Sequence, residues 1–245
     1  MSKTIKNVFD YKLNFENLLS AHYRASIGKQ LKKEVILFEM DLETNIIRIL
    51  KEIKSGSYKF SNYRTFIIYE PKERIIKSLP YKDRIVHQWY VEEFIKPYFL
   101  PRFINDTYAC LDNRGTHKAV KTTQKYMNKM SKNGKYFVLK CDIKKYFYSI
   151  DKNILYSILT KYISDNKLLE FTKIILDDKE EIGIPIGNYT SQFFANIYLN
   201  ELDHYVKDVL KIKYYIRYMD DFILLAKNGS LDIRHPAEIE GKNPQ

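Results

Sequence analysis

Two adjacent acids set between two short apolar runs constrain this 245-residue chain more than any other feature. They are Asp220 and Asp221 in Tyr218-Met219-Asp220-Asp221, preceded by Lys213-Tyr214-Tyr215-Ile216-Arg217 and followed by Phe222-Ile223-Leu224-Leu225-Ala226. Both flanks are rich in aromatic and β-branched residues, so they predict paired strands meeting at a tight turn. A carboxylate pair on such a hairpin suits divalent metals, which prefer hard oxygen ligands. Asp is also an ordinary turn residue, and these four positions alone leave both readings open. A third acid, Asp142, closes the predicted strand Tyr136-Phe137-Val138-Leu139-Lys140-Cys141-Asp142. It can meet the hairpin acids only through the fold. Three clustered carboxylates repel one another unless cations offset them, so such a cluster is hard to explain structurally.

The bulk properties narrow the partners. Lys and Arg number 41 against 30 Asp and Glu, a formal charge of +11, which favours a polyanion, whether nucleic acid or an acidic membrane surface. The 21 Tyr and 14 Phe exceed what charge alone would need. Rings interleaved with cations can stack on bases while the cations meet phosphates, although most of them are expected to fill the core. The only cysteines, Cys110 and Cys141, lack metal-ligand spacing, which argues against a zinc site or disulfide scaffold and fits a reducing compartment. The N-terminus lacks the apolar stretch of a signal peptide, and no segment approaches the roughly 20 apolar residues of a membrane span. The expectation is a soluble cytoplasmic protein with no membrane partner.

Along the chain, residues 14–56 read as helical, with a break at Ser55-Gly56-Ser57. Residues 63–69 and 74–79 predict two strands around the turn Glu70-Pro71-Lys72-Glu73, and residues 83–95 a further helix. A polar loop over 106–117 leads to a helix over 118–130. Asp151 is placed to cap a helix carrying Ile154, Leu155, Ile158 and Leu159. Gly183-Ile184-Pro185-Ile186-Gly187-Asn188 reads as a loop before a long helix over 190–210. Residues 229–245 lack aromatics and periodicity, and read as a disordered tail or a truncation remnant. The division expected is 1–135, 136–228 and 229–245.

Three stretches resemble known motifs in order and in spacing. Lys140-Cys141-Asp142-Ile143-Lys144-Lys145-Tyr146-Phe147-Tyr148-Ser149-Ile150 resembles motif A of reverse transcriptases. Ile184-Pro185-Ile186-Gly187-Asn188-Tyr189-Thr190-Ser191-Gln192-Phe193-Phe194-Ala195-Asn196 resembles motif B, and Tyr218-Met219-Asp220-Asp221 resembles motif C. Ser191-Gln192, where group II intron and retron enzymes usually carry Ser-Pro, looks most like the reverse transcriptases of diversity-generating retroelements. The resemblance implies an α+β fold of right-hand polymerase type, fingers and palm with an antiparallel palm sheet, and a thumb missing from this chain. It implies RNA-templated addition of deoxynucleotides to a primer 3′-end. The implied partners are template RNA, primer, deoxynucleoside triphosphates and a small basic accessory protein. The alternatives are a group II intron or retron-type enzyme, and a truncated RNA-binding form that makes no DNA.

The resemblance also assigns roles. Asp142, Asp220 and Asp221, with the Ile143 carbonyl, would hold two Mg²⁺ ions, with Mn²⁺ as a substitute. Phe147 matches the steric gate against a ribose 2′-hydroxyl. Arg74 matches the arginine that grips the triphosphate, since guanidinium binds phosphate bidentately; Lys72 and Arg84 are weaker candidates. Gly187, lacking a Cβ, would allow close approach of nucleotide or template. Ile186 occupies a position often held by Gln in more accurate enzymes, and so implies error-prone copying of adenines. Arg114, Lys118, Gln192, Tyr218 and Met219 are the expected template or primer contacts. His87, His117 and His204 show no metal-ligand spacing.

Overall fold

The computed structural model describes residues 4–70, 73–132, 134–176 and 181–227. In chain order the α-helices and strands among the described residues are α1 (Phe9–Lys12), α2 (Phe15–Ser26), α3 (Lys33–Glu39), α4 (Leu42–Lys54), β1 (Arg64–Ile68), β2 (Arg74–Ser78), α5 (Tyr81–Tyr90), α6 (Lys96–Phe99), α7 (Thr116–Ser131), β3 (Phe137–Cys141), α8 (Tyr146–Ser149), α9 (Lys152–Thr160), α10 (Asn166–Leu176), α11 (Tyr189–His204), β4 (Tyr214–Tyr218) and β5 (Asp221–Ala226). The fold is α+β with small antiparallel sheets, and the chain divides into two compact units. The first comprises residues 1–103 and 145–201, the second residues 104–144 and 202–245.

In the first unit, α2 begins where the Asn14 side chain accepts the Asn17 amide at 2.8 Å, satisfying a helix-end donor that has no partner within the helix. It buries Leu18, Ala21 and Ala25 and packs on α4 and α5. Ile46, Ile49 and Ile53, at helical spacing, form the buried stripe of α4. Phe9, Trp89, Phe94 and Phe171 form an aromatic cluster with centroid separations of 5.1–5.8 Å, within the range of favourable ring contacts. Asp165 ties this unit together. Its carboxylate accepts the amides of Val8 and Phe9 at 2.7 and 2.9 Å and that of Leu168 at the start of α10. Strands β1 and β2 form a separate antiparallel ribbon, with Phe66 facing Ile76 and Ile68 facing Arg74. All of β1 is exposed.

The second unit is built on a three-stranded antiparallel sheet in the order β3-β5-β4. Helix α7 packs on β4 and β5. Its Ala119 and Met130 are buried, and the Tyr126 ring lies edge-on to Tyr214 at 5.0 Å. Tyr215, Leu224 and Val206 form a second small core. Strand β3 lies at the sheet edge and leaves Phe137 and Val138 about half exposed.

Two expectations are corrected, and one helix has no counterpart among them. The helical region over 14–56 is three helices, because Gly28 takes a left-handed φ of 68° and the chain turns between Ile27 and Lys32. The helix over 118–130 starts earlier, at Thr116. Helix α10 was not anticipated, although Asp165 followed by Leu168, Phe171, Thr172 and Ile175 carries a cap and a 3–4 period. The cap at Asp151 is as read: its carboxylate accepts the amides of Asn153 and Ile154. Lys72 and the tail over 229–245 lie outside the described residues.

Candidate active site

The acid-bearing hairpin lies within the second unit. Strands β4 and β5 pair from Tyr214↔Leu225 to Tyr218↔Asp221, which leaves Met219 and Asp220 as a two-residue turn. Met219 has a φ of 56°, at the first central position where hairpins of this length favour Gly. A side chain held in that region costs roughly 1–2 kcal/mol, and persists only where the surroundings enforce it.

The surroundings here are specific. Arg217, one residue before the Tyr218 pair, is fully buried. Its Nε and Nη2 donate to the two carboxylate oxygens of Asp203 at 2.7 and 2.6 Å, and its Nη1 donates to the Met219 carbonyl at 3.0 Å. One guanidinium therefore spans a helix residue and the turn itself. Asp203, also fully buried, accepts further bonds from Thr107 Oγ1 at 2.8 Å and Tyr215 Oη at 2.7 Å. The Arg217 main chain is fixed as well: its amide donates to the Asp106 carbonyl, and its carbonyl accepts the Tyr108 amide. A buried pair of this kind contributes little net stability against apolar substitutes, but it specifies one geometry. Neither residue stood out in the sequence as a functional candidate. The available signals were a lone Arg in an apolar strand and an Asp between Leu202 and Val206 on a helix face.

The register also places Asp142. Cys141 faces Phe222 across β3 and β5, so Asp142, the next residue, comes opposite Asp221. Both side chains are exposed, and Asp220 is partly buried. Lys140 Nζ lies 4.0 Å from Asp221 Oδ1, with both groups largely exposed, so this pair adds little stability. Among the described residues no three His, Cys, Asp or Glu side chains group as a ready metal cage. Still, the donors fit a divalent ion in kind: they are carboxylates just past the end of β3, at the start of its neighbour β5 and in the β4–β5 turn, the first two exposed and the third partly so, with the Ile143 carbonyl next in sequence to Asp142. Of the motif C neighbours, Tyr218 is exposed and Met219 buried. Arg114 donates from Nη1 to the carbonyls of Ile104 and Thr107 at 2.8 and 2.7 Å, and Lys118 reaches the Asn113 carbonyl.

The remaining candidates lie in the first unit. The loop before α11 is clasped to β2, where the Lys77 amide donates to the Ile186 carbonyl at 3.0 Å. Gly187, with φ 118°, sits so close to β2 that a Cβ would lie 3.0 Å from both Ile76 Cγ2 and the Lys77 carbonyl oxygen. The close approach this glycine permits is to the β1–β2 ribbon. Arg74 is exposed at the start of β2. Phe147, in α8, is half buried, and its carbonyl accepts the Ile184 amide at 2.8 Å, which joins motif A to motif B. Arg84 is bound to Glu34, Ser78 and the Leu79 carbonyl. Gln192 is exposed on α11, near Arg24 and Lys29, around a cavity of about 200 Å³. His87 is fully buried, bonds to Thr190 Oγ1 at 2.8 Å, and is pushed by burial to a pKa of about 3. It is a neutral structural residue beneath motif B.

The family model for reverse transcriptase (RNA-dependent DNA polymerase) matches residues 68–241. The group II intron-encoded protein LtrA of Lactococcus lactis subsp. cremoris is 26% identical over 184 residues, spanning 70% of this chain and 30% of LtrA. The chain thus spans less than a third of that relative's length. Among solved structures, a partial Cas6-RT-Cas1–Cas2 complex superposes with a TM-score of 0.51 at 19% identity, over 93% of this chain and 39% of that one; this is a likeness of fold. With 174 matched positions covering both motif-bearing units, the chain belongs to the reverse transcriptase family.

Proposed function

We propose that this chain is the fingers and palm part of an RNA-directed DNA polymerase that adds deoxynucleotides to a primer 3′-end on an RNA template. The observation that carries the reading is the register that sets Asp142 opposite Asp221, beside a turn fixed by Arg217. In the reaction the primer 3′-oxygen forms a bond to the α-phosphorus of the incoming nucleotide, and the bond to pyrophosphate breaks. Asp142, Asp220, Asp221 and the Ile143 carbonyl would hold two Mg²⁺ ions, or Mn²⁺ in their place, which supply charge stabilisation for both the attacking and the leaving oxygens. Arg74 grips the triphosphate, aided by Lys72. Phe147 excludes a 2′-hydroxyl. Gly187 and Ile186 shape the nucleotide side of motif B, and Arg114, Lys118, Gln192, Tyr218 and Met219 bear on template and primer.

Two lineages differ in what supports them. Ser191-Gln192 and the apolar Ile186 favour a diversity-generating retroelement, with error-prone copying of adenines and a small basic accessory protein. The similarity to LtrA favours a group II intron type. Misincorporation concentrated opposite template adenines, and reduced in Ile186→Gln, is the outcome expected of the first; an even error spectrum selects the second. The activity itself is tested by Mg²⁺-dependent deoxynucleotide incorporation on a primed RNA, comparing the chain with its Asp220→Asn, Asp221→Asn double variant. Incorporation that survives the double substitution refutes the assignment. Phe147→Ala should admit ribonucleotides, and unchanged sugar selectivity would remove the gate.

A further inference from the structure

The net charge is unevenly placed. Residues 113–141 hold eight Lys and Arg and no Asp or Glu, so this stretch carries eight of the net eleven positive charges of the whole chain. Most of it is α7, in the second unit. Lys118, Lys121, Lys125, Lys129 and Lys132 follow one another at steps of three, four, four and three, and all are exposed. At about 100° per residue they fall within an arc of about 80°, forming one ridge along the helix. The inward stripe is separate: Ala119, Tyr126 and Met130 face the sheet.

Like charges at four-residue spacing destabilise a helix by a few tenths of a kcal/mol per pair. Ordinary solvated helices relieve this by alternating Glu with Lys, and α7 has no acid with which to do so. We infer that the lysine ridge of α7 is a docking surface for double-stranded RNA, held by its phosphate backbone alone. The spacing suits it: four residues of helix advance about 6 Å, and the ridge is about 21 Å long. At the charge density of a duplex, about a dozen phosphates fall within that length. Gln124 and Asn128 flank the lysines along one side of the ridge, and such side chains hydrogen-bond phosphate and sugar without reading sequence. Single strands are usually held by successive bases stacking on several rings; Tyr126, the one Phe, Tyr or Trp of α7, is turned to Tyr214 and Asp106, which leaves exposed His117 at the helix start as a single ring. A membrane would need apolar side chains beside the cations, but Val120 and Met127, exposed on α7, lie on the opposite flank. The ridge would therefore position a folded part of the RNA. The proposed RNA-templated activity enters only in naming RNA, rather than DNA, as the polyanion.

The test is the affinity of the whole chain for a blunt RNA hairpin of about 16 base pairs, a length spanning two minor grooves, across a salt series without nucleotide or metal. Failure of the polymerase reading would appear in the incorporation assay and leave this measurement interpretable. Lys121→Gln/Lys125→Gln/Lys129→Gln should weaken binding at least about tenfold and lower the salt slope by about 2 to 3, since each phosphate contact contributes close to 1. A charge-matched control, Lys33→Gln/Lys51→Gln/Lys54→Gln, changes exposed lysines of the first unit and should leave most of the affinity. Equal losses in both variants would reduce the effect to net charge and overturn the proposal. So would unchanged affinity in the ridge variant, tighter binding to a DNA hairpin of the same sequence, or loss confined to phosphatidylserine vesicles. Thermal unfolding of the ridge variant, expected to be unchanged or slightly higher, guards against misfolding.

Discussion

The chain holds two hairpins that differ in what fixes them. The β1–β2 ribbon has an exposed β1, and its contact with the rest of its unit includes the bond from Lys77 to Ile186 and the close packing of Gly187. The β4–β5 hairpin forms part of a three-stranded sheet under α7, and its turn is held from inside by Arg217 and Asp203. A turn with a Met at positive φ needs that second layer of support. The lesson is mechanical: a turn that carries two acids and a Met at positive φ is held from within, whereas a ribbon with one strand wholly exposed is free to yield. Slow amide exchange in β5 beside fast exchange in β1 is the direct reading of this difference.

The sharpest way to break the contrast is at Asp203. Asp203→Ala leaves the Arg217 guanidinium buried without its carboxylate, and should cost about 3–5 kcal/mol, measured by urea unfolding. Replacing both partners, as Asp203→Leu with Arg217→Met, should recover most of the stability while loosening the turn. Recovery of full activity along with stability would show that the pair only fills space.

A smaller effect is expected at the other hairpin. Gly187→Ala meets both an unfavourable φ and the Lys77 carbonyl at 3.0 Å, and should cost about 1–3 kcal/mol. The change should appear first as faster exchange of the Lys77 amide, with β4–β5 unaffected.

The pH response sharpens the comparison further. His87 is held neutral with a pKa of about 3, and burial also lowers the pKa of His22; both belong to the first unit. Below the ordinary value near 6.5 the unfolded chain binds a proton that folded His87 refuses, so stability falls as pH falls. The loss is about 1.4 kcal/mol per pH unit for a full shift, or about 2 kcal/mol by pH 5. His87→Gln should flatten that slope. Protection should be lost in the first unit before the second, whose His117 and His204 are not buried.

Much of this was legible in the residues. The acid hairpin, the strand before Asp142 and the Asp151 cap follow from alternation, turn chemistry and capping, all of which act over a few positions. The register that opposes Asp142 to Asp221 was not legible, because it depends on pairing across about 80 residues of chain. Nor was the role of Asp203, whose partners Thr107, Tyr215 and Arg217 converge only in the fold. Gly187 shows the intermediate case: the need for a missing Cβ could be read, but not that β2 imposes it.

The central claim is that strand register brings Asp142 to the hairpin acids for chemistry. Single-nucleotide incorporation on a primed RNA, with wild type and Asp142→Asn followed alongside RNA affinity in the same samples, tests it most directly. The expected result is loss of incorporation with RNA binding retained. An unchanged rate in Asp142→Asn would contradict the account, since the opposition of β3 and β5 would then serve the fold alone.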